Sequence, residues 1–541
     1  MTRFFVLTGL LLCGLISTQA KSYYFNVKTG SDQNSGLSPE APFFSLKRIN
    51  ELTLQPGDSV LLSAGQVFKE SLVLKDVKGN TRQKIVVGSY GGKDKKATID
   101  AAGYLNGILI QDCACLTIEN LKITANGNTR SESVTGNMRC GVLVNTSKAG
   151  AYENITLEGL DIHDVFYEDP GFRRGEDEVR TANGTQSYGW GVRFINRTEG
   201  ALLKNVKVRN CQVKNVAHTG IKFTAFTNSI QGVEVSDCLV LKTGGPGIQM
   251  SGVHDGNVKN CVVNYSGSKD DSRKWGRGSG LWTWGSSNII IEHNEFRNAN
   301  GPGDSAGCHI DFNCRNVIVQ YNFSYKNAGG FIEILGNNFN CAYRYNVSVD
   351  DGHRIKGENG AFQEGKTFWL SGYRGDKKRN GPFNSYIYNN TIFVSDSIVS
   401  KIAVTKVAKG VLVANNIFCI KGESQAVLGD QYKPEKDGAG SVQNVVFKNN
   451  LFLKASNWPQ EVFIQDENPQ YGNPDFKNPG GDRLSDYVPQ NKSLIRNKGI
   501  RIPVLAGDSV GLVSGLEVEK DIMGHRIKGK PDMGAIELVN R

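Results

Sequence analysis

Two acidic residues, Asp311 and Glu333, have the type and spacing of a catalytic carboxylate pair. They lie 22 positions apart in short alternating segments, CHIDF from residue 308 and FIEIL from residue 331. If these segments are neighbouring strands, about 4.8 Å apart, the two carboxylates come within roughly 5 Å of each other. Like charges this close push the two pKa values apart, so that one group is ionised and the other protonated. Cleavage of a glycosidic bond needs one ionised and one protonated carboxyl group. The alternative interpretation is that Asp311 and Glu333 are only polar residues on a solvated face.

Segments of the same kind precede this pair, usually directly after a glycine. They are GVRFI from 191, GIKFT from 220, GIQMS from 247 and GLWTW from 280. Strict alternation turns every second side chain outward, so the outward residues of stacked strands form lines. The first line predicted in this way contains Arg193, Lys222, Gln249, Trp282, His309 and Phe331. The second contains Ile195, Thr224, Ser251, Trp284, Asp311 and Glu333.

Several residues on these lines are candidates for binding a sugar. Trp282 and Trp284 offer flat surfaces for stacking, unless they only pack under a loop. His309 is expected to bind a hydroxyl group or to tune the acidic pair, unless it is a neutral structural histidine. Polar and basic side chains complete the predicted binding set, which also includes Lys222, Arg193, Gln249, Arg354 and Lys356. Three residues in turns near the same groove rank second: His218, Asp304 and His353.

The elements that position these residues recur along the chain. A strand pattern can be written under itself as VKVRNCQV (206–213), VEVSDCLV (233–240), IIIEHNEF (289–296), VIVQYNFS (317–324) and VVFKNNLF (445–452). Its spacing of about 23 to 28 residues fits one turn of a three-sheet coil. One position of the pattern holds Cys211, Cys238 and Cys261, followed by a series of asparagines. We expect buried free thiols there, continued by an asparagine ladder through Asn294, Asn322 and Asn346.

This organisation resembles the right-handed parallel β-helix proteins of bacterial polysaccharide utilisation. The segments GSDQNSGLSPEAPFFSL (30–46) and PGDSVLLSAGQVF (56–68) are similar to the start of such proteins, and PDMGAIE (531–537) to their end. The resemblance implies an all-β, right-handed parallel β-helix (solenoid) of about ten or more turns, with loop insertions that form a groove. The interruptions at 163–188, 264–279 and 357–382, with Trp190, Trp275 and Trp369 in or beside them, are expected to be groove walls. We expect one domain over 21–541, with an N-terminal cap (21–100), a repeat core (101–455) and a C-terminal segment (456–541).

Two narrower resemblances concern the site. The Asp and Glu on successive turns are similar to those of a β-helical β-xylosidase family, which implies that Asp311 is the nucleophile and Glu333 the acid/base. Arg354-Ile355-Lys356 resembles the Arg-Ile-Lys of polygalacturonases. The other polygalacturonase motifs are missing from the sequence, which favours chance for this tripeptide.

The start and the composition of the chain bear on its location and partners. Residues 1–20 combine Arg3, an apolar run and Ser17-Thr18-Gln19-Ala20, which predicts a cleaved signal peptide and a secreted or periplasmic protein. No later stretch is apolar enough for a membrane span. The formal net charge of +10 makes an acidic glycan a natural partner, although charges of both signs are interspersed. We expect a monomer that binds a carbohydrate polymer or oligosaccharide, and no nucleic acid.

Three functions remain open at this point. The first is a glycoside hydrolase that uses Asp311 and Glu333 in a retaining two-carboxylate mechanism, without cofactor or metal, on a plant or algal polysaccharide or oligosaccharide. The second is a polysaccharide lyase, which needs a Lys or Arg base and often Ca²⁺ to neutralise a uronate. The third is a glycan-binding protein that uses the tryptophans alone, and a C5-epimerase is a more distant alternative. The fold hosts all of these functions, so the residues of the site must decide between them.

Overall fold

The chain forms a coil of three long parallel β-sheets. The structure is a computed structural model that describes residues 19–92, 94–127, 138–166, 188–267, 277–427, 444–459 and 466–539. Each sheet pairs a strand with the strand one turn later, and every pairing between named strands is parallel. The predicted right-handed parallel β-helix is therefore confirmed. The first 18 residues, which hold most of the predicted signal peptide, lie outside the described residues.

Sheet I contains the strands in which the repeat pattern begins. Its strands are Ser22–Phe25, Ser59–Ser63, Ile85–Tyr90, Leu116–Glu119, Gly150–Glu153, Ile155–Glu158, Ala201–Arg209, Ile230–Ser236, Val253–Lys259, Ser287–Glu292, Arg315–Gln320, Ala342–Arg344, Phe383–Tyr388, Lys409–Ala414 and Val445–Lys448.

Sheet II contains the strands that follow the glycines, and it carries the candidate site. Its strands are Leu72–Lys75, Asn106–Gln111, Met138–Asn145, Tyr188–Asn196, Ile221–Ala225, Ile248–Ser251, Leu281–Trp284, Cys308–Ile310, Gly330–Ile334, Lys366–Leu370, Ser400–Val404 and Ser424–Ala426.

Sheet III closes each turn of the coil. Its strands are Val67–Phe68, Ala97–Asp100, Leu121–Asn126, Asp161–Phe166, Gln212–Val216, Leu239–Thr243, Val262–Ser266, Glu295–Arg297, Phe323–Tyr325, Val347–Val349, Thr391–Val394, Ile417–Ile420, Leu451–Phe452 and Gln470–Tyr471. The described helices are short: Leu46–Glu51, Ala455–Asn457 and Leu484–Tyr487 are 3₁₀ helices and Lys492–Ile495 is α-helical. Among the described residues, no helix is long and apolar enough to cross a bilayer.

A tight corner between sheets I and III explains the repeat pattern. The residue before the stack position has a left-handed backbone, as at Asn210 (φ 50°), Asp237 (φ 55°) and Asn415 (φ 56°). Asn and Asp tolerate this conformation better than other residues with side chains. The chain is rich in asparagine for two reasons. The corner position favours a residue that tolerates a left-handed backbone, and the position after it holds the side chains that stack from turn to turn.

The stack inside this corner is confirmed. Cys211, Cys238 and Cys261 are free and buried. The Cys261 amide donates to Asn294 Oδ1 (2.9 Å), and a ladder of side-chain amides continues from there. The ladder runs through Asn294, Asn322, Asn346, Asn390, Asn416 and Asn450, and ends on Asp466. Each rung satisfies polar groups inside an otherwise apolar core.

The C-terminal segment packs against the outside of the coil. Leu512 belongs to an apolar cluster on the outer face of sheet I, and Ile495 to a cluster on sheet III. Tyr386 donates to Asp508 Oδ2 (2.5 Å), which anchors the segment to sheet I. Neither of these two clusters lies on sheet II, whose outer face holds the pocket described next.

Candidate active site

A pocket of about 350 Å³ opens on the outer face of sheet II, near the middle of the coil. Strands of five successive turns contribute to it, from Ile248–Ser251 to Lys366–Leu370. Its walls combine acidic, aromatic and amide side chains: Gln249, Ser251, Arg277, Trp282, Trp284, Asp304, His309, Asp311, Phe312, Glu333, Leu335, Trp369 and Tyr373.

The strand register confirms most of the first predicted line. Arg193 pairs with Lys222, Lys222 with Gln249, Gln249 with Trp282, and Trp282 with His309. These five residues therefore form one continuous outward line along sheet II, which is called the sheet II line below.

The last step of the predicted alignment is wrong by two residues. Ile310 pairs with Ile334, and Ala306 bridges Gly330 in the same register. Glu333 therefore lies beside His309 on the sheet II line. Phe331 is fully buried in the core although it lies two residues before Glu333, so the alternation is interrupted at the start of this strand, next to Gly330 (φ 135°). A shift of two residues keeps the same faces in and out, so alternation alone does not detect it.

This correction changes the expected geometry of the acidic pair. In this register Asp311 lies beside Leu335, and Glu333 is on the diagonal. Diagonal positions on adjacent strands are about 8 Å apart at the backbone, compared with about 4.8 Å for direct neighbours. The argument for a carboxylate separation of roughly 5 Å therefore no longer holds, although both side chains still line the same pocket.

Burial perturbs both acids strongly. Burial and, to a smaller extent, the charge of Asp304 raise the pKa of Asp311 to about 7, while a hydrogen bond from the Phe312 amide (2.8 Å) opposes the rise. Burial also raises the pKa of Glu333 well above its usual range, with additions from Asp304 and Asp311. Lys366 and Arg354 oppose that rise. The pocket therefore holds acids that favour the protonated form near neutral pH.

Asp304 is a third carboxylate of the pocket, and the sequence ranked it only second. It forms an ion pair with Arg277 (Nε to Oδ2, 3.3 Å) and contributes the largest charge effect on both Asp311 and Glu333. Its amide donates to the side chain of Gln363. Asp304 lies in the turn GPGDSAG before the strand of His309, and its left-handed backbone (φ 43°) marks a constrained position. An acid in such a turn is the signal that could have ranked it higher.

Aromatic rings line the pocket beside these acids. Trp284 is partly exposed and meets Phe312 edge to face, with ring centroids 5.9 Å apart. Trp282 and Trp369 are more buried, and their indole Nε1 groups have no hydrogen-bond partner in the described part of the chain. A sugar offers apolar faces to such rings and hydroxyl oxygens to such donors.

His309 is neutral at neutral pH in this environment. Burial lowers its pKa to about 4, its ring packs against Trp282 (5.5 Å between centroids), and its Nδ1 lies 3.1 Å from the Ser279 hydroxyl. A neutral imidazole between Trp282 and Glu333 is compatible with both expectations, a group that binds a hydroxyl and a structural histidine.

Other predicted residues lie away from the acids. Arg354 is buried behind the pocket, where its guanidinium donates to the backbone oxygens of Gly301 (2.8 Å) and Gln363 (2.7 Å). Lys356 is exposed on a loop and does not line the pocket. Arg193 and Lys222 continue the sheet II line beyond the pocket. The positive charge of Arg354 acts on Glu333, as predicted. Arg354 and Lys356 do not, however, form a binding site for a uronate carboxylate at the pocket.

The second-rank histidines are also outside the pocket. His218 is buried, with its ring 5.1 Å from that of Trp190, and burial lowers its pKa well below the usual value. His353 lines a separate small cavity together with Arg354. Neither contacts the acidic side chains.

The predicted groove walls are described only in part. Trp275 and most of the first two interruptions lie outside the described residues. From the third, Tyr373 lines the pocket and contacts Phe312 edge to face (5.7 Å), while Trp369 lies on a strand beside Glu333.

Comparison with known proteins supports the fold. The family model described as "Right handed beta helix region" matches residues 190–392. A lacto-N-biosidase of Bifidobacterium longum subsp. longum is 24% identical over an alignment that covers 96% of this chain and 36% of that protein. The chain thus spans little more than a third of the length of this curated relative.

Two solved structures share the architecture. A GH136 lacto-N-biosidase from Eubacterium ramulus is 22% identical with a TM-score of 0.54, covering 75% of this chain and 67% of that one. A complex of XylC with xylose is 12% identical with a TM-score of 0.50, covering 96% and 99%. The chain is a right-handed parallel β-helix protein. Within that class, it is similar in sequence to lacto-N-biosidases.

Proposed function

We propose that this protein is a glycoside hydrolase that acts on an oligosaccharide or polysaccharide in the sheet II pocket. The observation that carries the proposal is the set of three carboxylates in one aromatic pocket, two of them with raised pKa values. A glycosidase needs one ionised and one protonated carboxyl group, and carboxyl groups with different pKa values in one pocket favour that combination. The relatives named as lacto-N-biosidases support the same class of reaction.

The first assignment keeps the roles predicted from the sequence. Asp311 attacks the anomeric carbon and displaces the leaving sugar, whose oxygen takes a proton from Glu333. Water then hydrolyses the glycosyl ester, with Glu333 accepting its proton. A pKa of about 7 for Asp311 leaves it ionised in about half of the molecules at neutral pH, and Glu333, with a pKa well above its usual range, supplies the acid.

A second assignment replaces Glu333 by Asp304 as the acid/base. The strong effect of the Asp304 charge on Asp311 favours it, as does the diagonal offset of Glu333. Retaining enzymes hold their two carboxyl groups about 5 to 5.5 Å apart. Azide rescue separates the roles: rescue of a small replacement at the nucleophile gives a glycosyl azide of inverted configuration, and rescue at the acid/base gives one of retained configuration.

The substrate is proposed on two grounds. The relatives make a lacto-N-bioside the first compound to try. The sequence-based expectation of a plant or algal polysaccharide supplies the second group of substrates. In line with the predicted signal peptide, we propose that the enzyme acts outside the cytoplasm, with no cofactor.

One experiment separates the candidate functions. Purified protein is incubated with p-nitrophenyl lacto-N-bioside, xylan and polygalacturonate, and products are followed as reducing ends and as ultraviolet absorbance of unsaturated sugars. A hydrolase releases reducing ends without that absorbance. Unsaturated products would favour the lyase, with a Lys or Arg base. Binding without turnover on any substrate would favour a glycan-binding protein.

A further inference from the structure

Two cations on the sheet II line have no anionic partner. Arg193 and Lys222 are adjacent on neighbouring strands, and neither forms an ion pair or a side-chain hydrogen bond in the described part of the chain. Only 7% of the Arg193 surface is exposed, and its Nε has no hydrogen-bond partner among the described residues. The charges that act on Lys222 are those of Arg193 and Arg197, both positive. Arg193 is buried and Lys222 half-buried, and two cations so close together are costly unless an anion joins them.

The two cations are surrounded by an aromatic ring on one side and an amide side chain on the other. The Arg193 guanidinium lies over the Trp190 ring, 4.5 Å from its centroid. On the other side, Lys222 is paired with Gln249, which is buried and whose Oε1 has no hydrogen-bond partner within the described ranges of the chain. The Gln249 Nε2 group donates to Ser251 Oγ (3.0 Å), so the amide is held in place. Stacking, fixed donors and a free acceptor are the elements of a sugar-binding surface.

The two cations are continuous with the proposed active site. Gln249 lines the pocket, and its strand lies between the strand of Lys222 and the strand of Trp282. The strand of Lys222 is three strand spacings, about 14 Å, from the strand Cys308–Ile310, which Asp311 directly follows. This distance is more than one sugar unit, so a ligand that reaches both regions is an oligosaccharide.

We propose that Arg193 and Lys222 form a subsite for an anionic group, which binds a carboxylate or sulfate ester carried by a glycan at least one residue away from the bond that is cleaved. The proposal rests on the proposed function, because it places this subsite in the same substrate cleft. It narrows the substrate to glycans that carry a sugar acid or a sulfate. Burial lowers the pKa of Lys222 to about 7, and a bound anion would restore its charge.

Calorimetric binding to the full chain tests the subsite without any turnover. The probes are trigalacturonate and its methyl ester, and galactose 6-sulfate beside galactose and inorganic sulfate, all at one fixed ionic strength. We expect an acidic sugar to bind at least tenfold more tightly than its neutral counterpart, and galactose 6-sulfate more tightly than sulfate alone. The two acidic probes show whether carboxylate or sulfate is preferred.

Variants show whether these two residues are responsible. Lys222→Met and Arg193→Gln should each weaken binding of the acidic sugar about tenfold or more, since charge-assisted hydrogen bonds are lost. Lys222→Arg keeps the charge and should retain binding. Lys204→Met, at an exposed lysine of sheet I, is the matched control and should change nothing.

Equal affinity for acidic and neutral sugars, or full binding in both Lys222→Met and Arg193→Gln, would overturn the anionic subsite. Equal affinity for sulfate and galactose 6-sulfate would reduce it to a bare anion site and overturn the glycan assignment. Because these are binding measurements, they stand apart from the hydrolase proposal, which fails only if turnover is absent or independent of the carboxylates.

Discussion

Asp311, Asp304 and Glu333 are acids that the fold holds in a largely desolvated pocket. Burial is the main cause of the raised pKa values at Asp311 and Glu333, and the charge of Asp304 is the second. A structural role would not require such groups, because neutral side chains would pack there at lower cost. At the residue scale, the account therefore predicts a characteristic pH dependence of both activity and stability.

Activity should fall as the pH drops below about 7. If Asp311 is the nucleophile, it must be ionised, and its pKa of about 7 sets the acid limb of kcat/KM in the free enzyme. The Glu333 proton is retained to higher pH, so the alkaline limb should lie well above the usual range of a glutamate. A pH profile of kcat/KM checks this, and full activity at pH 5 would contradict it.

The same burial predicts that Asp311→Asn stabilises the protein at high pH. The folded-state pKa of Asp311 lies above its unfolded value, so the folded state loses stability as the pH rises from about 4 to about 7. Asparagine carries no charge at any of these pH values, and it can still accept the hydrogen bond from the Phe312 amide. We expect a gain on the order of 1–3 kcal/mol at pH 8 and little gain at pH 4.

Thermal melts at both pH values measure this effect. Asp396→Asn is the control, because Asp396 is exposed and should show no difference between pH 4 and pH 8. A loss of stability in Asp311→Asn at pH 8 would show that the carboxylate is stabilised as an ion.

At the scale of the strand and its corner, the repeat was largely predictable. Alternation identified the outward faces, and a recurring Cys or Asn identified the inner stack. The register between turns could not be fixed for Glu333, because a shift of two residues leaves the same faces buried. The left-handed corner residue was missed, although it explains much of the asparagine content.

Breaking the asparagine ladder should be costly. Asn322 Nδ2 donates to Ile291 O (2.9 Å), Gln320 O (2.8 Å) and Asn346 Oδ1 (3.0 Å), and its Oδ1 accepts from Asn294. Asn322→Ala leaves several buried groups unpaired, and we expect a loss of about 3–5 kcal/mol. Urea unfolding measures it.

The control for this variant is Asn257→Ala. Asn257 is partly exposed and makes one long hydrogen bond, to Glu292 (3.2 Å), so its loss should cost less than about 1 kcal/mol. Similar unfolding midpoints for the two variants would show that the ladder does not hold successive turns together.

The strand Leu281–Trp284 presents the pocket's stacking surface. Trp282→Ala removes that surface and should weaken substrate affinity by about 1 to 3 kcal/mol, whereas Trp282→Phe keeps an apolar ring and should retain most of it. Trp284→Ala should have an effect of the same kind. Titration of the inactive Asp311→Asn variant with substrate provides the measurement. Unchanged affinity in both alanine variants would assign the rings to packing alone.

In the whole coil, the outer face of sheet II carries the candidate site and offers a surface for a substrate. The C-terminal segment covers parts of sheets I and III, and the sheet II line runs from Arg193 to the pocket. The fold could be predicted from the repeat pattern and from the resemblance of both ends of the chain to those of parallel β-helix proteins. The contact between Asp508 and Tyr386 could not be predicted from the sequence, because the C-terminal segment does not follow the repeat pattern. The position of Asp304 in the pocket depends likewise on a turn outside the repeat.

The central claim is that the carboxylates of this pocket cleave a glycosidic bond. The most direct measurement is kcat of Asp304→Asn, Asp311→Asn and Glu333→Gln on the substrate found for the wild type, with substrate affinity measured in parallel. We expect the single variant Asp311→Asn to lose at least about a hundredfold in kcat, and so should one of the two single variants Asp304→Asn and Glu333→Gln. These variants should keep the fold and most of the substrate affinity. Near-wild-type kcat in Asp311→Asn, or in both Asp304→Asn and Glu333→Gln, would contradict the account.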